Sequence, residues 1–383
     1  MHRLVIDWVV SVGALIPLLY YLAVIYSARR FFRQPPISNA DFTPPASILK
    51  PVRGVDAESY ANFSSFCRLD YPAYEIVFGV NDAGDPAVPV IQQIIQDFPQ
   101  RSIRLLIGST NRGSNDKVRK LCRLAKEAQY EILVVSDSDI RVQPDYLRRV
   151  VAPFRDPQVG AATCLYRAKA EPRLGPELEA IGLASEFFPG VLMARQLEGV
   201  KFALGATMAT RSAILAEIGG FEAIADSLMD DYELGNRIAA KGYRVELIPY
   251  SVWTVPASEG ALGCFKHQLR WAVGVRNSRP WGHRGRLLAQ GLPWAVAAAA
   301  VDGSGAATAG FLGAYLVIRL AMAWTVGVWG MQDPLMRRKW WLVPVWDAVA
   351  FVIWAASFVQ NRIRWCGTEF YVRKGRLIPV TPR

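Results

Sequence analysis

Cysteine is scarce and scattered. The five cysteines (Cys67, Cys122, Cys164, Cys264, Cys366) stand singly, none of them in a C-x-x-C pair, and their number is odd. That excludes a disulfide framework and a zinc ribbon, and it predicts buried thiols in a reducing compartment. The chain also has no internal repeat and no low-complexity tract, so a solenoid is excluded. The basic-aromatic module of a nucleic-acid binder is missing too, despite a net charge of +11. A basic balance joined to an apolar fraction of 52% points instead to a membrane-associated chain that meets anionic lipid or phosphate ligands. Its 383 residues suffice for one large domain with extra elements.

Long apolar runs are present at both ends. Residues 5–25 carry one acid, Asp7, and are long enough to span a bilayer. Arg29, Arg30 and Arg33 follow at once, which puts that end of the run in the cytoplasm. No small-x-small cleavage site follows, so the run reads as an uncleaved anchor, with Tyr20, Tyr21 and Tyr26 suited to the interface. Three further runs, 287–301, 306–329 and 341–359, are separated by Asp302-Gly303-Ser304-Gly305 and Arg337-Arg338-Lys339. Three crossings would carry the basic tail (Arg362, Arg364, Arg373, Lys374, Arg376) outside, against its charge. The shortest run, 287–301, is therefore expected to be re-entrant or interfacial. Gly303-x-Gly305 follows no strand and reads as a bend, not a phosphate loop. Asp347 inside the last run fits a functional group and a satisfied packing acid equally well.

Between the ends lies a soluble pattern. A proline-rich linker, 35–46, precedes strands at 47–50, 74–80, 103–107 and 132–135, alternating with helices at 88–98 and 115–128. Such alternation predicts a mostly parallel sheet covered on both faces, with ligands outside the carboxyl ends of the strands. Asp82 falls at one such end, and Asp137 and Asp139 at another. Two carboxylates separated by one residue point to one side of an extended backbone, where they can hold a hard divalent cation. Such a cation bridges two phosphates and takes up charge on a departing nucleotide diphosphate. Alone, the pair reads equally as an Asx-rich turn. The α/β pattern continues to about Pro249: a strand at 202–205, a helix at 211–218 ended by Gly219-Gly220, a helix at 226–240 and a strand at 245–248. Asp226, Asp230, Asp231 and Glu233 crowd the start of the 226–240 helix, more acids than the helix dipole accounts for. Residues 263–274 form a basic amphipathic helix, with Arg276, Arg279, Arg284 and Arg286 beyond it, and read as interfacial.

Taken in order, Asp82, Asp137-Ser138-Asp139, Asp230-Asp231 and His267-x-x-Arg270-Trp271 resemble the D, D-x-D, D, (Q/R)-x-x-R-W pattern of membrane glycosyltransferases. Leu49-Lys50-Pro51-Val52-Arg53-Gly54-Val55-Asp56, Leu69-Asp70-Tyr71-Pro72, Gly84-Asp85-Pro86-Ala87 and Asp139-Ile140-Arg141-Val142 are similar to the ceramide glucosyltransferase family, which includes bacterial hopanoid glycosyltransferases. The resemblance covers essentially the whole chain. It implies an α/β, GT-A fold, Rossmann-like with a mostly parallel sheet, between one N-terminal and two to three C-terminal transmembrane or re-entrant helices. The expected division is a 1–30 anchor, a 31–283 catalytic domain with its interfacial helix, 284–361 membrane segments and a 362–383 basic tail.

The resemblance further implies an inverting transfer of a hexose from a UDP-sugar to a membrane-lipid hydroxyl, on the cytoplasmic face of a bacterial inner membrane. Residue by residue, Asp82 would contact the uridine, with Lys50 beside the same pocket and Lys117 near the donor. Asp137 and Asp139 would hold the diphosphate through Mn²⁺ or Mg²⁺, and Asp231 would be the base. Arg270 and Trp271 would close over donor and acceptor, and Gly205-Ala206-Thr207 would form an acceptor-side strand. His267 stands where the pattern has Gln or Arg, so its role is open. UDP-glucose with ceramide is one substrate pairing, and UDP-N-acetylglucosamine with a hopanoid such as bacteriohopanetetrol is the other. A processive polysaccharide synthase and a non-catalytic membrane protein are the rival readings.

Overall fold

Strand and helix alternate as the apolar pattern demands, and the sheet they build brings the acid clusters to one edge. A computed structural model describes the chain apart from Met1, residues 36–40, 111–112, 256–259 and 303–304, Cys366 and residues 381–383; for residues 2–7 and Asp302 it describes the backbone alone. The chain forms two compact units: Met1–Gln34 with Ala170–Gly199 and Ser258–Asn361, and Pro35–Lys169 with Val200–Ala257 and Arg362–Arg383. The expected 31–283 region is therefore spread over both.

The second unit holds an eight-stranded sheet. Its strands are β1 (Ala46–Pro51), β2 (Tyr74–Val80), β3 (Ser102–Ile107), β4 (Ile132–Val135), β5 (Ile140–Arg141), β6 (Val159–Ala168), β7 (Met208–Arg211) and β8 (Arg244–Thr254). They lie in the order β3-β2-β1-β4-β7-β6-β8-β5. β3, β2, β1 and β4 are parallel, and β7 enters antiparallel to β4. Every residue of β1, β2 and β4 is buried, as expected of strands covered on both faces. The core under one face joins Leu49, Val77 and Leu133 to Leu121 and Leu124 of the helix Asp116–Glu127. Glu75 is buried within β2, where it accepts from Ser47 Oγ at 2.6 Å, the Gln129 amide at 2.7 Å and Arg104 Nη2 at 2.7 Å. Cys67, Cys122, Cys164 and Cys264 are free and buried; Cys366 and the Gly303-x-Gly305 bend lie wholly or partly outside the described residues.

Three local expectations give way. Residues 202–205 form no strand: Thr207 N donates back to Leu204 O at 3.0 Å in a tight turn, and the strand begins only at Met208. The acid-rich helix begins at Asp230, not at 226, because 226–228 pairs with the C-terminal tail. β8 does not stop at Pro249; its ladder with β6 slips between Ile248 and Ser251 and resumes to Thr254, a bulge that accommodates the missing N–H. The tail itself is an antiparallel sheet of β9 (Arg362–Trp365), β10 (Thr368–Arg373) and β11 (Arg376–Pro379). Ile363, Phe370, Val372 and Leu377 are buried on one side, with Arg362, Arg364, Arg373 and Arg376 exposed on the other.

In the first unit, Trp8–Phe32, Gly305–Gly330 and Pro334–Ser357 are long and apolar enough to cross a membrane. The 287–301 run breaks at Gln290, leaving the shorter apolar helix Gly291–Val301. Asp347 proves to be satisfied: it accepts from Arg319 Nε at 2.9 Å and Nη2 at 2.6 Å, and from the Tyr315 hydroxyl at 2.7 Å. Helices Leu174–Gly182 and Phe188–Glu198, unanticipated from the sequence, belong to this unit. Their acids are paired there, Glu177 with Lys339 at 2.5 Å and Glu186 with Trp346 Nε1 at 2.8 Å.

The tail constrains how the apolar helices can be threaded. Leu377 N donates to Asp226 O at 2.7 Å and Leu228 N to Gly375 O at 2.9 Å, so β11 is on the same side as the large sheet. If Gly305–Gly330 and Pro334–Ser357 both cross a membrane, the chain returns to the side of the large sheet at Arg362, whereas a third crossing by Gly291–Val301 would not return it. Single cysteines introduced at 157 and at 380 are accordingly expected to react with an impermeant thiol reagent from the same side of sealed vesicles. Labelling from opposite sides would refute the two-span reading.

Candidate active site

Hydrogen-bond register brings the candidate residues together. Val52 N donates to Gly79 O at 2.8 Å and Ser136 N to Leu49 O at 3.2 Å, so β1, β2 and β4 end level and deliver Lys50, Asp82 and Asp137 to one edge. Lys50 is fully buried, 3.8 Å over the Phe66 ring, and its Nζ donates to Asp137 O at 2.8 Å and Ser136 Oγ at 3.4 Å. Burial lowers its pKa to about 7, opposed by the charges of Asp139 and Asp137. It braces the turn that follows β4. Asp82 is exposed at the end of β2, where its carboxylate accepts from Gly84 N at 3.0 Å.

Asp137 and Asp139 stand on a turn, not on extended backbone: Ile140 N donates to Asp137 O at 3.3 Å. They remain electrostatic neighbours. Burial, then the Asp137 charge, pushes the Asp139 carboxyl up to about 6, while Thr254 Oγ1 donates to its Oδ2 at 2.6 Å.

The cluster closes around Lys117. Asn115 caps the helix Asp116–Glu127, accepting from Val118 N at 3.2 Å, and so fixes where Lys117 projects. Lys117 Nζ lies 2.8 Å from Asp137 Oδ1 and 2.9 Å from Asp230 Oδ2. Burial acts to lower its pKa, but Asp137 and Asp230 outweigh it and hold the ammonium firmly charged. Asp231, beside Asp230 in the first turn of Asp230–Ala240, accepts from Gly205 N at 2.9 Å and Tyr232 N at 2.7 Å. Burial, with the Asp230 charge adding, raises its pKa to about 6. A side chain at Gly205 would meet Asp137 Oδ2 at 3.2 Å, Asp231 Oδ2 at 3.4 Å and Lys117 Nζ at 3.6 Å. Gly205 is thus the floor of the cluster. Its amide was invisible in the sequence, where the resemblance offered Gly205 only as part of an acceptor-side strand.

A carboxyl raised by burial and by a second carboxylate beside it suits a hard cation, whose charge would favour the ionised form of Asp139. Among the described residues no three His, Cys, Asp or Glu side chains gather into a metal site, so Asp137 and Asp139 would supply part of a coordination shell and ligand phosphates the rest. His267, Arg270 and Trp271 lie on the helix Ala261–Ser278 of the membrane unit. There His267 Nδ1 is 2.6 Å from Glu179 Oε1, and the Trp271 ring centroid is 5.2 Å from His267 and 5.8 Å from Phe187.

Comparison with known proteins places these features. The family model described as "Glycosyl transferase family 21" matches residues 9–378. Ceramide glucosyltransferase 1 of Caenorhabditis elegans is 24% identical over 255 residues, 66% of this chain and 54% of the relative. A ceramide glucosyltransferase of Gibberella zeae is 30% identical over 145 residues, 35% of this chain and 28% of the relative. The match to the nematode protein thus spans about half that relative's length. Among solved structures, the mannosyltransferase PcManGT of Pyrobaculum calidifontis, in complex with GDP-Man and Mn²⁺, superposes with a TM-score of 0.54 at 20% identity, covering 91% of this chain and 97% of its own. The likeness establishes the fold as GT-A-like.

The cluster's electrostatics can be tested without reference to any reaction. Lys117 is one of the charges holding the Asp231 pKa down, so Lys117→Met is expected to move the Asp231 titration upward from about 6. Carboxyl-carbon NMR of the labelled aspartates reads this shift; an unchanged midpoint would dissolve the cluster.

Proposed function

This chain belongs to glycosyl transferase family 21, and from that membership we propose that it moves a hexose from a UDP-sugar to the hydroxyl of a membrane lipid, with inversion at the anomeric carbon. The observation that carries the proposal is Asp231: a carboxylate with a pKa raised to about 6, oriented by two backbone amides, beside a lysine-balanced acid cluster. A base poised just below neutral pH is ionised at pH 7 and still accepts a proton readily.

In the proposed step the lipid oxygen forms a bond to the anomeric carbon while the bond from that carbon to the diphosphate oxygen breaks. The hydroxyl proton goes to an Asp231 oxygen, and UDP leaves. The amides of Gly205 and Tyr232 fix the carboxylate plane, and Lys117 keeps Asp137 and Asp230 from repelling the developing charges. Asp82, exposed at the strand edge, is assigned to the uridine. Asp137 and Asp139 would hold Mn²⁺ or Mg²⁺, which supplies charge neutralisation on the departing diphosphate. Arg270, Trp271 and His267 enter as the matching motif, and Arg270→Ala is expected to lower transfer. UDP-glucose with ceramide is the first substrate pairing, UDP-N-acetylglucosamine with a hopanoid polyol the alternative. The pairing of Asp347 with Arg319 removes one support for a non-catalytic membrane protein.

Transfer should therefore fall as pH drops through about 6, because a protonated Asp231 cannot act as base. Asp231→Asn should keep donor affinity near wild type while transfer falls by roughly two to four orders of magnitude. Asp139→Asn, like EDTA, should weaken donor binding as well. Calorimetric UDP-sugar binding beside UDP release with and without lipid extract distinguishes these outcomes. Turnover by Asp231→Asn above about a tenth of wild type would remove it as the base, and full activity in EDTA would remove the metal. Mass spectrometry of the lipid product identifies the acceptor.

A further inference from the structure

The segment 225–228, just before the acid doublet, is held from two sides. On one side β11 lies along it as an added strand: Leu377 N donates to Asp226 O at 2.7 Å, Leu228 N donates to Gly375 O at 2.9 Å, and Ser227 bridges Arg376 antiparallel. On the other side the 113–115 loop closes against it. Asn115 N donates to Ala225 O at 2.8 Å, Asn115 Nδ2 to Ser227 O at 2.7 Å, and Ser114 N to Asp226 Oδ1 at 2.9 Å. Gly113, at φ +98°, is so close that a β-carbon there would sit 2.6 Å from Ala225 O.

Each side leads directly to the cluster. Asp230 and Asp231 begin the helix that follows 226–228, and Lys117 stands two positions after Asn115, which is fully buried and caps its helix. The Asn115 side chain is thus fully committed: its oxygen to the start of the lysine helix, its amide to the segment that β11 holds. Without β11, Asp226 O and Leu228 N would lose their partners, and 225–228 would be tethered along one edge alone. A strand paired on one edge opens more readily than one paired on both.

We infer that the C-terminal hairpin is a positioning element of the acid cluster: by pairing with 226–228 it fixes the helix start that carries Asp230 and Asp231 and, through Asn115, the helix start that carries Lys117. The inference rests on the cluster being the transfer site proposed above. Asn115 and the hairpin act through other residues, and neither touches the reacting atoms.

The turn between β10 and β11 offers a handle outside the acid cluster itself. Lys374 and Gly375 adopt φ of 50° and 75°, the two-residue hairpin turn that favours Asn-Gly. In the full-length chain, Gly375→Ala and the harsher Gly375→Val strain that turn, whereas Lys374→Asn keeps its geometry and removes only the charge. Hydrogen–deuterium exchange is expected to quicken in 226–232 and in 113–118 for both Gly375 variants, with the helix Ala87–Asp97 unchanged. Turnover should drop by about 10- to 100-fold, the scale on which small misplacements act, and Lys374→Asn should match wild type in both readings. Combining Gly375→Ala with Asn115→Asp, which keeps the capping oxygen but loses the amide donor, should cost less than the product of the separate losses, because the two act on one network. A mere loss of folded enzyme would give no such coupling.

Faster exchange confined to 226–228, unchanged turnover once exchange has risen, losses that simply multiply, or equal damage from Lys374→Asn would each overturn the inference. A wild-type chain that transfers no sugar would overturn the proposed function instead, and the exchange pattern would still decide whether the hairpin governs both helix starts. Gly375→Ala keeps the test open if Gly375→Val does not fold.

Discussion

One ammonium group between two carboxylates sets the terms for the rest of the sheet edge. Asp137, Asp230 and Asp231 converge from β4 and from the helix Asp230–Ala240, and in a desolvated place like charges drive one another toward protonation. Lys117 lets them coexist. Its own placement depends on a capped helix start, its partners depend on level strand ends, and both depend on a residue without a side chain at 205. The acidity of Asp231 is thus a property of the arrangement, since an isolated aspartate titrates near 3.9.

What the sequence disclosed, and what it hid, divides along the range of the forces involved. The parallel strands were legible because residues such as 132–135 are apolar without interruption, which a strand buried on both faces requires. Their carboxyl ends then located Asp82, Asp137 and Asp139 by topology. The elements that escaped answer to distant partners. Residues 226–228 begin with an acid suited to a helix start, Asp226, yet they are drawn into pairing with a segment nearly 150 positions later, Ser227 bridging Arg376. Pro249 looks like a strand end, but a bulge absorbs it. The 170–199 insert leaves the sheet for the membrane unit because its acids find partners there, Glu177 at Lys339 and Glu186 at Trp346.

The membrane unit obeys the same rule in an apolar setting. Asp347 would be costly in a spanning helix, and its bidentate pairing with Arg319 together with the Tyr315 hydroxyl meets that cost internally. Arg319 also donates to Ser185 O at 2.9 Å, so one guanidinium ties a spanning helix to the inserted helical segment. Charge inside this unit serves cohesion.

The C-terminal hairpin has a consequence in time. Lys117, Asp137, Asp230 and Asp231 all precede the last two spans in chain order, while β11 follows them. A nascent chain that has released its large sheet from the ribosome therefore holds all four of these side chains and lacks the strand that pairs with 226–228. The strand arrives only after Gly305–Gly330 and Pro334–Ser357, both long and apolar enough to cross a membrane, have been made. On the inference that the hairpin positions the cluster, the site would be complete only once both of these helices have been made, which ties its assembly to the end of synthesis.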